Sequence, residues 1–189
     1  MAVSVSRSNS EKVYLLLESD SDKEQGGLFV SDNAGKKWMK VSSDHRLVQR
    51  AWYYIEVYVD PQDEQTVYVL SAPALRSIDG GRSWEVVQGA HGDYPDLWIN
   101  PKNSKNMIMA DDGGGSISLN YGKTWSTQAN MPTAQLYRIN VDNGFPYKIY
   151  AGQQDNSSLA IAHREFASGG ISPRSWAPSA GGESAFLAF

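Results

Sequence analysis

The protein has 189 residues, with 17 Lys and Arg against 21 Asp and Glu, for a net charge of −4. That length falls within the range of one domain, and an acidic balance without any basic block argues against nucleic acid or an anionic membrane surface as a partner. There is no cysteine, which excludes disulfides, thiolate metal sites and a cysteine nucleophile, and no apolar run approaches the roughly 20 residues of a spanning helix.

In chain order, residues 1–10 (MAVSVSRSNS) lack the apolar core of about 7–15 residues that an export signal needs. The expectation from that stretch is a cytoplasmic protein or a chain that begins downstream of its true start. Val13-Tyr14 opens a short β-rich run, and Ser31-Asp32-Asn33-Ala34-Gly35-Lys36-Lys37-Trp38 follows it. Trp52 to Val59, β-branched and aromatic, reads as a strand, Asp60-Pro61-Gln62-Asp63 reads as a turn, and Val67-Tyr68 opens the next strand. The order then recurs: Ser77-Ile78-Asp79-Gly80-Gly81-Arg82-Ser83-Trp84, the turn Asn100-Pro101-Lys102-Asn103, Met107-Ile108, and Ser118-Leu119-Asn120-Tyr121-Gly122-Lys123-Thr124-Trp125. Leu136 to Val141, the turn Asp142-Asn143-Gly144 and Ile149-Tyr150 begin a fourth round. No stretch of 11 residues carries a helical period.

The eight-residue box S-x-[DN]-x-G-x-[KST]-W thus starts at residues 31, 77 and 118, in phase with the strands. One round reads as a four-stranded antiparallel meander of about 40–45 residues, the size of a propeller blade. The predicted fold is all-β: a β-propeller segment of about four four-stranded blades, with approximate repeats 1–50, 51–90, 91–131 and 132–179 and a further blade starting at 180–189. The fourth round departs from the pattern, since AIAHREFA stands where a box is expected. His163 to Arg174 reads there as a longer connection, and Trp176 resumes the outer strand. At about 43 residues per blade, the chain holds a little over four blades and is expected to belong to a larger propeller, whose remaining blades are its partners.

Within a box, an Asp or Asn side chain accepts hydrogen bonds from backbone N–H groups two or three residues on. Gly35, Gly81 and Gly122 supply a positive φ. Trp38, Trp84 and Trp125 are expected to re-enter the sheet and bury their rings. Ser31, Asn33, Ser77, Asp79, Ser118 and Asn120 complete this structural set. Two copies carry Asn in place of Asp, so the box is read as a turn device rather than a catalytic or calcium-binding one.

These boxes resemble the Asp boxes of bacterial-neuraminidase-type repeat propellers, in particular bacterial proteins described as glycosyl-hydrolase-like or as sharing the sortilin-receptor ectodomain repeat. The segments Gln49 to Tyr54, His91 to Trp98, Pro132 to Arg138, Gln153 to Asn156 and Gly181 to Ser184 carry the same resemblance. It implies an extracellular or periplasmic protein and does not by itself assign an activity, because fold and function are separable.

Propeller ligands sit at a mouth of the central channel, near the ends of the innermost strands. With Asp60, Asn100 and Asp142 taken as equivalent, the residues seven places earlier are Tyr53, Asp93 and Gln135, and those four places earlier are Glu56, Asp96 and Arg138. Glu183 joins the first set if the last strand runs into the same turn. Together with the resembling segments, this points to Arg50, Tyr53, His91, Gln135, Arg138, Gln154 and Asp155 as ligand-contacting residues, the ligand being carbohydrate or peptide. Polar residues at these places are equally compatible with a wet channel. The leading reading is a binding or scaffold module. A glycoside hydrolase is the alternative, with Asp93 and Glu183 as the two carboxyl groups such chemistry needs and Asp96 as a substitute. A sortilin-type peptide-binding propeller is the third, without that receptor's cysteine-rich companion. The Phe/Tyr-Arg-Ile-Pro segment of sialidases is absent. His91-Gly92-Asp93 is a weak metal pair, and Asp111 to Gly115 reads as a loop between the second and third strands of a blade rather than a calcium loop. No metal or cofactor is assigned.

Overall fold

A computed structural model of the protein describes residues 1–89, 91–131, 133–166, 170–183 and 186–188. Two compact units contain them, Met1–Asn130 and Met131–Phe189. The first unit holds three antiparallel sheets. One comprises β1 (Ala2–Val5), β2 (Val13–Leu17), β3 (Gly27–Ser31) and β4 (Met39–Ser42), and the next β5 (Glu56–Val59), β6 (Val67–Leu70), β7 (Leu75–Ser77) and β8 (Glu85–Val86). The third has β9 (Asp96–Ile99), β10 (Met107–Asp111) and β11 (Gly114–Ser118). The second unit is one sheet of β12 (Leu136–Val141), β13 (Lys148–Gln153), β14 (Ser158–Ala162) and β15 (Trp176–Pro178). Every sheet is a meander in chain order. Among the described residues no helix is long and apolar enough to cross a membrane.

Burial explains why β6 reads Val-Tyr-Val-Leu without polar alternation. Side chains of a strand point alternately to opposite faces, and both faces of this one are covered. Val67 and Val69 join Tyr14, Leu16 and Leu28 of the first sheet in one core, while Tyr68 and Leu70 join Leu97, Ile99, Met107 and Met109 of the third in another. Polar ties cross the same boundaries. The Tyr14 hydroxyl donates to the Glu64 carbonyl at 2.8 Å, Val59 N–H to Ser4 Oγ at 3.1 Å, and Ser104 N–H to Gln62 Oε1 at 3.2 Å.

The turns after β5, β9 and β12 share one design, which supports the register used above. Asp60, Asn100 and Asp142 each accept from the N–H two residues on, at 2.8, 2.9 and 3.0 Å. Each also closes the loop by backbone pairing, to Thr66, Asn106 and Lys148.

The boxes share another. Ser31, Ser77 and Ser118 accept at Oγ from Gly35, Gly81 and Gly122 N–H at 2.8, 2.8 and 2.9 Å. Asn33, Asp79 and Asn120 accept from the N–H four residues on, at 2.7, 2.9 and 2.9 Å. Asp79 also accepts from Arg82 N–H, three residues on, at 3.0 Å; the bond common to all three boxes reaches one residue farther than the two or three expected. Positive φ also occupies two successive positions, Ala34-Gly35, Gly80-Gly81 and Tyr121-Gly122.

The expected burial of all three box tryptophans does not hold. Trp38 is 41% exposed, whereas Trp84 and Trp125 are half-buried. Trp84 rests on the first core and donates from Nε1 to Ser42 Oγ at 3.3 Å, and Trp125 rests on the second core. Each leans on the boundary with the sheet before its own. Among the described residues no such sheet precedes that of Trp38.

Asp79 is the one acidic copy. Its carboxyl is held well below the usual carboxylate range by hydrogen bonds from the Ser83 hydroxyl, then Ser83 N–H, then Ser77. A group with a depressed folded pKa contributes stability that is present above its unfolded value, about 3.9, and lost as pH falls through the folded one. Asp79→Asn is therefore expected to flatten the loss of stability below about pH 4. Tm measured from pH 7 to 2 checks this, and identical acid limbs would remove the carboxylate from the turn's stability.

The fourth sheet replaces the box by the connection from β14 to β15, with Leu159 opposite Pro178; residues 167–169 of that connection lie outside the described ones. Of the expected opening strand at 180–189, Ser184, Ala185 and Phe189 also lie outside. Asn140 Nδ2 donates to the Leu187 carbonyl at 3.0 Å, so residue 187 lies beside β12 without being assigned to a strand.

Candidate functional site

In the first unit, the approach to β5 folds back on itself because Tyr53 and Tyr54 N–H both donate to the Arg50 carbonyl at 2.9 Å. This turn gathers three consecutive aromatic rings round the Arg50 guanidinium, at 5.3 Å for Trp52, 5.3 Å for Tyr53 and 5.5 Å for Tyr54. Cations over aromatic faces within about 6 Å are attracted by the ring quadrupole. Arg50 is also anchored by an ion pair with Asp93, which raises the Arg50 pKa through that hydrogen bond. Asp93 itself adopts a left-handed backbone, φ 55°.

The outer rings are open to solvent, Trp52 80% and Tyr53 68% exposed, with centroids 5.9 Å apart. Tyr54 is half-buried, and burial, with Asp93 adding to it, pushes its hydroxyl up to about 12. His91 lies on the same loop as Asp93, its Nδ1 3.2 Å from the Gly92 carbonyl. That carbonyl also accepts from Asp112 N–H, at 3.3 Å, in the turn between β10 and β11. Of residues 111–115, read from the sequence as a loop, only Asp112 and Gly113 lie between strands, since Asp111 ends β10 and Gly114 begins β11; Asp111 Oδ1 accepts from Gly113 N–H at 2.9 Å and Gln128 Nε2 at 2.6 Å.

Asp96 has other partners. It opens β9, and its Oδ1 accepts from the Tyr58 hydroxyl at 2.9 Å and from Leu97 N–H at 2.8 Å. Burial and then this bond push the Tyr58 hydroxyl up. Farther along the innermost strands, a cleft of about 390 Å³ is bordered by Val3, Val5, Leu97 and Trp98 together with the polar Ser4, Arg7 and Tyr58, so its lining is mixed.

In the second unit, Gln154 N–H donates to the Gln135 carbonyl at 2.9 Å. Glu183 Oε2 accepts from Asp155 N–H at 2.8 Å and Gln154 Nε2 at 3.2 Å. Glu183 is thereby tied to the loop between β13 and β14, whose Asp155 also has a left-handed φ of 51°. Arg138 lies 4.1 Å over the Phe186 ring.

The structure thus brings Arg50, Tyr53, His91 and Asp93 to one place in the first unit, and Gln135, Gln154, Asp155 and Glu183 to one place in the second. Asp93 and Glu183 belong to different units, and each has partners of its own. Trp52 and Tyr54 were not among the residues expected from sequence; the run of three aromatics after Arg50 was the available signal. Among the described residues no group of three or more His, Cys, Asp or Glu is placed to hold a metal ion.

Comparison with protein-family models finds no match, and comparison with curated proteins finds none. Among solved structures, a GH74 enzyme of Niastella koreensis is similar with a TM-score of 0.54 and 14% identity, over 94% of this chain and 29% of that one. The YCF48 protein of Cyanidioschyzon merolae aligns with a TM-score of 0.47 and 16% identity, over 94% and 55% of the two chains. A GH74 xyloglucanase of Xanthomonas campestris gives 0.49 and 14%, over 85% and 29%. These neighbours are β-propeller proteins. The chain is built of β-propeller blades. It spans under a third of the length of the Niastella enzyme, and identities this low speak to fold alone.

Proposed function

We propose that the chain is part of a larger, exported Asp-box propeller, divided into the repeats set out above, and that it serves as a carbohydrate-binding or scaffold module. The observation that carries this reading is the pair of open rings, Trp52 and Tyr53, held on an arginine that Asp93 anchors. Large exposed aromatics at the approach to an innermost strand have no core to fill. A sugar ring offers a flat C–H face that covers such a surface, while its hydroxyls meet polar neighbours such as His91. In the second unit, Gln135, Arg138, Gln154 and Asp155 offer amide, guanidinium and carboxylate groups suited to further hydroxyls.

Hydrolysis by Asp93 and Glu183 is the weaker reading. Asp93 is engaged by Arg50, and Glu183 by the Asp155 N–H and the Gln154 amide. Asp96, the substitute, is engaged by Tyr58. These bonds suit residues that shape a surface.

The test is migration of the full chain in native gels containing neutral polysaccharides. Retardation by at least one polysaccharide, unrelieved by added unstructured peptide, is the expected result. Relief by peptide would turn the reading toward a peptide-binding propeller, and migration unaffected by every polysaccharide would overturn it.

A further inference from the structure

Arg76 is the charged residue whose placement the fold explains least. In β7 it pairs with Tyr68 of β6, the register that Val30 has with Tyr14 in the first sheet and Ile117 with Ile108 in the third. Val30 is 5% exposed and belongs to the core, whereas Ile117 is 52% exposed. The Arg76 side chain follows Val30 in being mostly buried, and a guanidinium so placed is costly unless its charge and hydrogen bonds are used. Only part of it is used. Nη1 donates to Glu85 Oε1 at 3.1 Å, while Nε is buried without a hydrogen-bond partner among the described residues.

Tyr121 points to the same spot. It holds a left-handed backbone, φ 62°, where the other boxes carry Ala34 and Gly80. The box turn imposes this conformation on all three copies, and in the third it fixes where the Tyr121 ring sits. Its ring lies 5.9 Å from the Arg76 guanidinium, as does that of Tyr68. Beside Arg76 and Tyr121 opens a cleft of about 180 Å³, also bordered by Glu85, Gln88 and Lys123. The arginine side chain is 16% exposed, and that of Glu85 is 65% exposed. Glu85 therefore holds Arg76 from the solvent side, where an ion pair is weak and readily exchanged.

We propose that this cleft is an oxyanion-binding site, in which the carboxylate, sulfate or phosphate group of a ligand replaces Glu85 on Arg76 and is flanked by Lys123 and the Gln88 amide. Arginine and lysine together supply the charge-assisted donors that such groups select. Tyr121 walls the site and keeps the guanidinium in place. The site is independent of the aromatic cluster at Arg50.

The experiment follows the backbone amides of Gln88, Gly122 and Lys123 by NMR in the full chain. Sodium sulfate is titrated against sodium chloride at constant ionic strength, and glucuronate against glucose. Saturable shifts with sulfate or glucuronate, and none with glucose or chloride, are expected. Tighter binding of glucuronate would assign the group to an acidic sugar, and tighter binding of sulfate to a free or ester anion. Removing the competing carboxylate by Glu85→Gln should tighten binding about tenfold, and Lys123→Ala should weaken it about three- to tenfold. Both side chains lie at the surface, so unchanged shifts elsewhere certify folding. Unsaturable shifts, or affinity that Glu85→Gln leaves unchanged or weakens, would overturn the proposal.

Discussion

Replacing Tyr14 by alanine is expected to lower the stability of the protein by about 3–5 kcal/mol, the range for truncating a large buried aromatic residue. The ring is fully buried in the core that joins the first two sheets, among residues including Leu16, Leu28, Val57 and Val67. Its hydroxyl crosses that boundary to the Glu64 carbonyl at 2.8 Å. Alanine would remove both the packing and the tie. Phenylalanine keeps the ring and should cost about 1 kcal/mol, the net worth of one hydrogen bond. Denaturant unfolding of the three proteins measures the ladder. A Tyr14→Ala loss below about 1 kcal/mol would contradict the face-to-face packing of these sheets.

Trp52→Ala is expected to weaken polysaccharide binding about tenfold or more, equivalent to about 1.4 kcal/mol, while leaving Tm nearly unchanged. The separation of the two effects follows from exposure. At 80% exposed, the ring contributes little to any core, yet it forms the outer half of the aromatic surface that Arg50 organises. Trp38→Ala is the matched control, since Trp38 is also exposed but belongs to a box turn. Fluorescence titration with the polysaccharide found in the gel assay measures both. Equal losses in the two variants would point to general stickiness, and full affinity in Trp52→Ala would remove the ring from the site.

Much of the blade was legible because it is written in local chemistry. The box pattern at 31, 77 and 118 marked three turns whose serine and Asx side chains bond the backbone alike. The turns at Asp60, Asn100 and Asp142 marked the ends of three strands. The site was legible only in part. Asp93, Tyr53 and Arg50 were named, but the register treated Tyr53 and Asp93 as separate positions around a channel, and Arg50 came only from a resembling segment. Their meeting depends on the backbone turn at residues 50–54 and on the left-handed Asp93. Arg76 gave no sequence signal, because its oddity lies in standing where Val30 stands in another sheet.

The length raised the same contrast. By itself, the sequence determined the period of the repeat, most of the strands within it and the turn residues between them, because those choices depend on neighbours a few positions away; the strand read from Trp52 begins only at Glu56. It also determined the acidic charge and the absence of thiol chemistry. The tertiary structure decided which tryptophans find a neighbouring surface, which carboxylates have partners already, and which aromatic rings remain open. Those outcomes depend on contacts between residues about 40 positions apart, such as Arg50 with Asp93 and Trp84 with Ser42. Only the packing of one sheet against another brings such residues together.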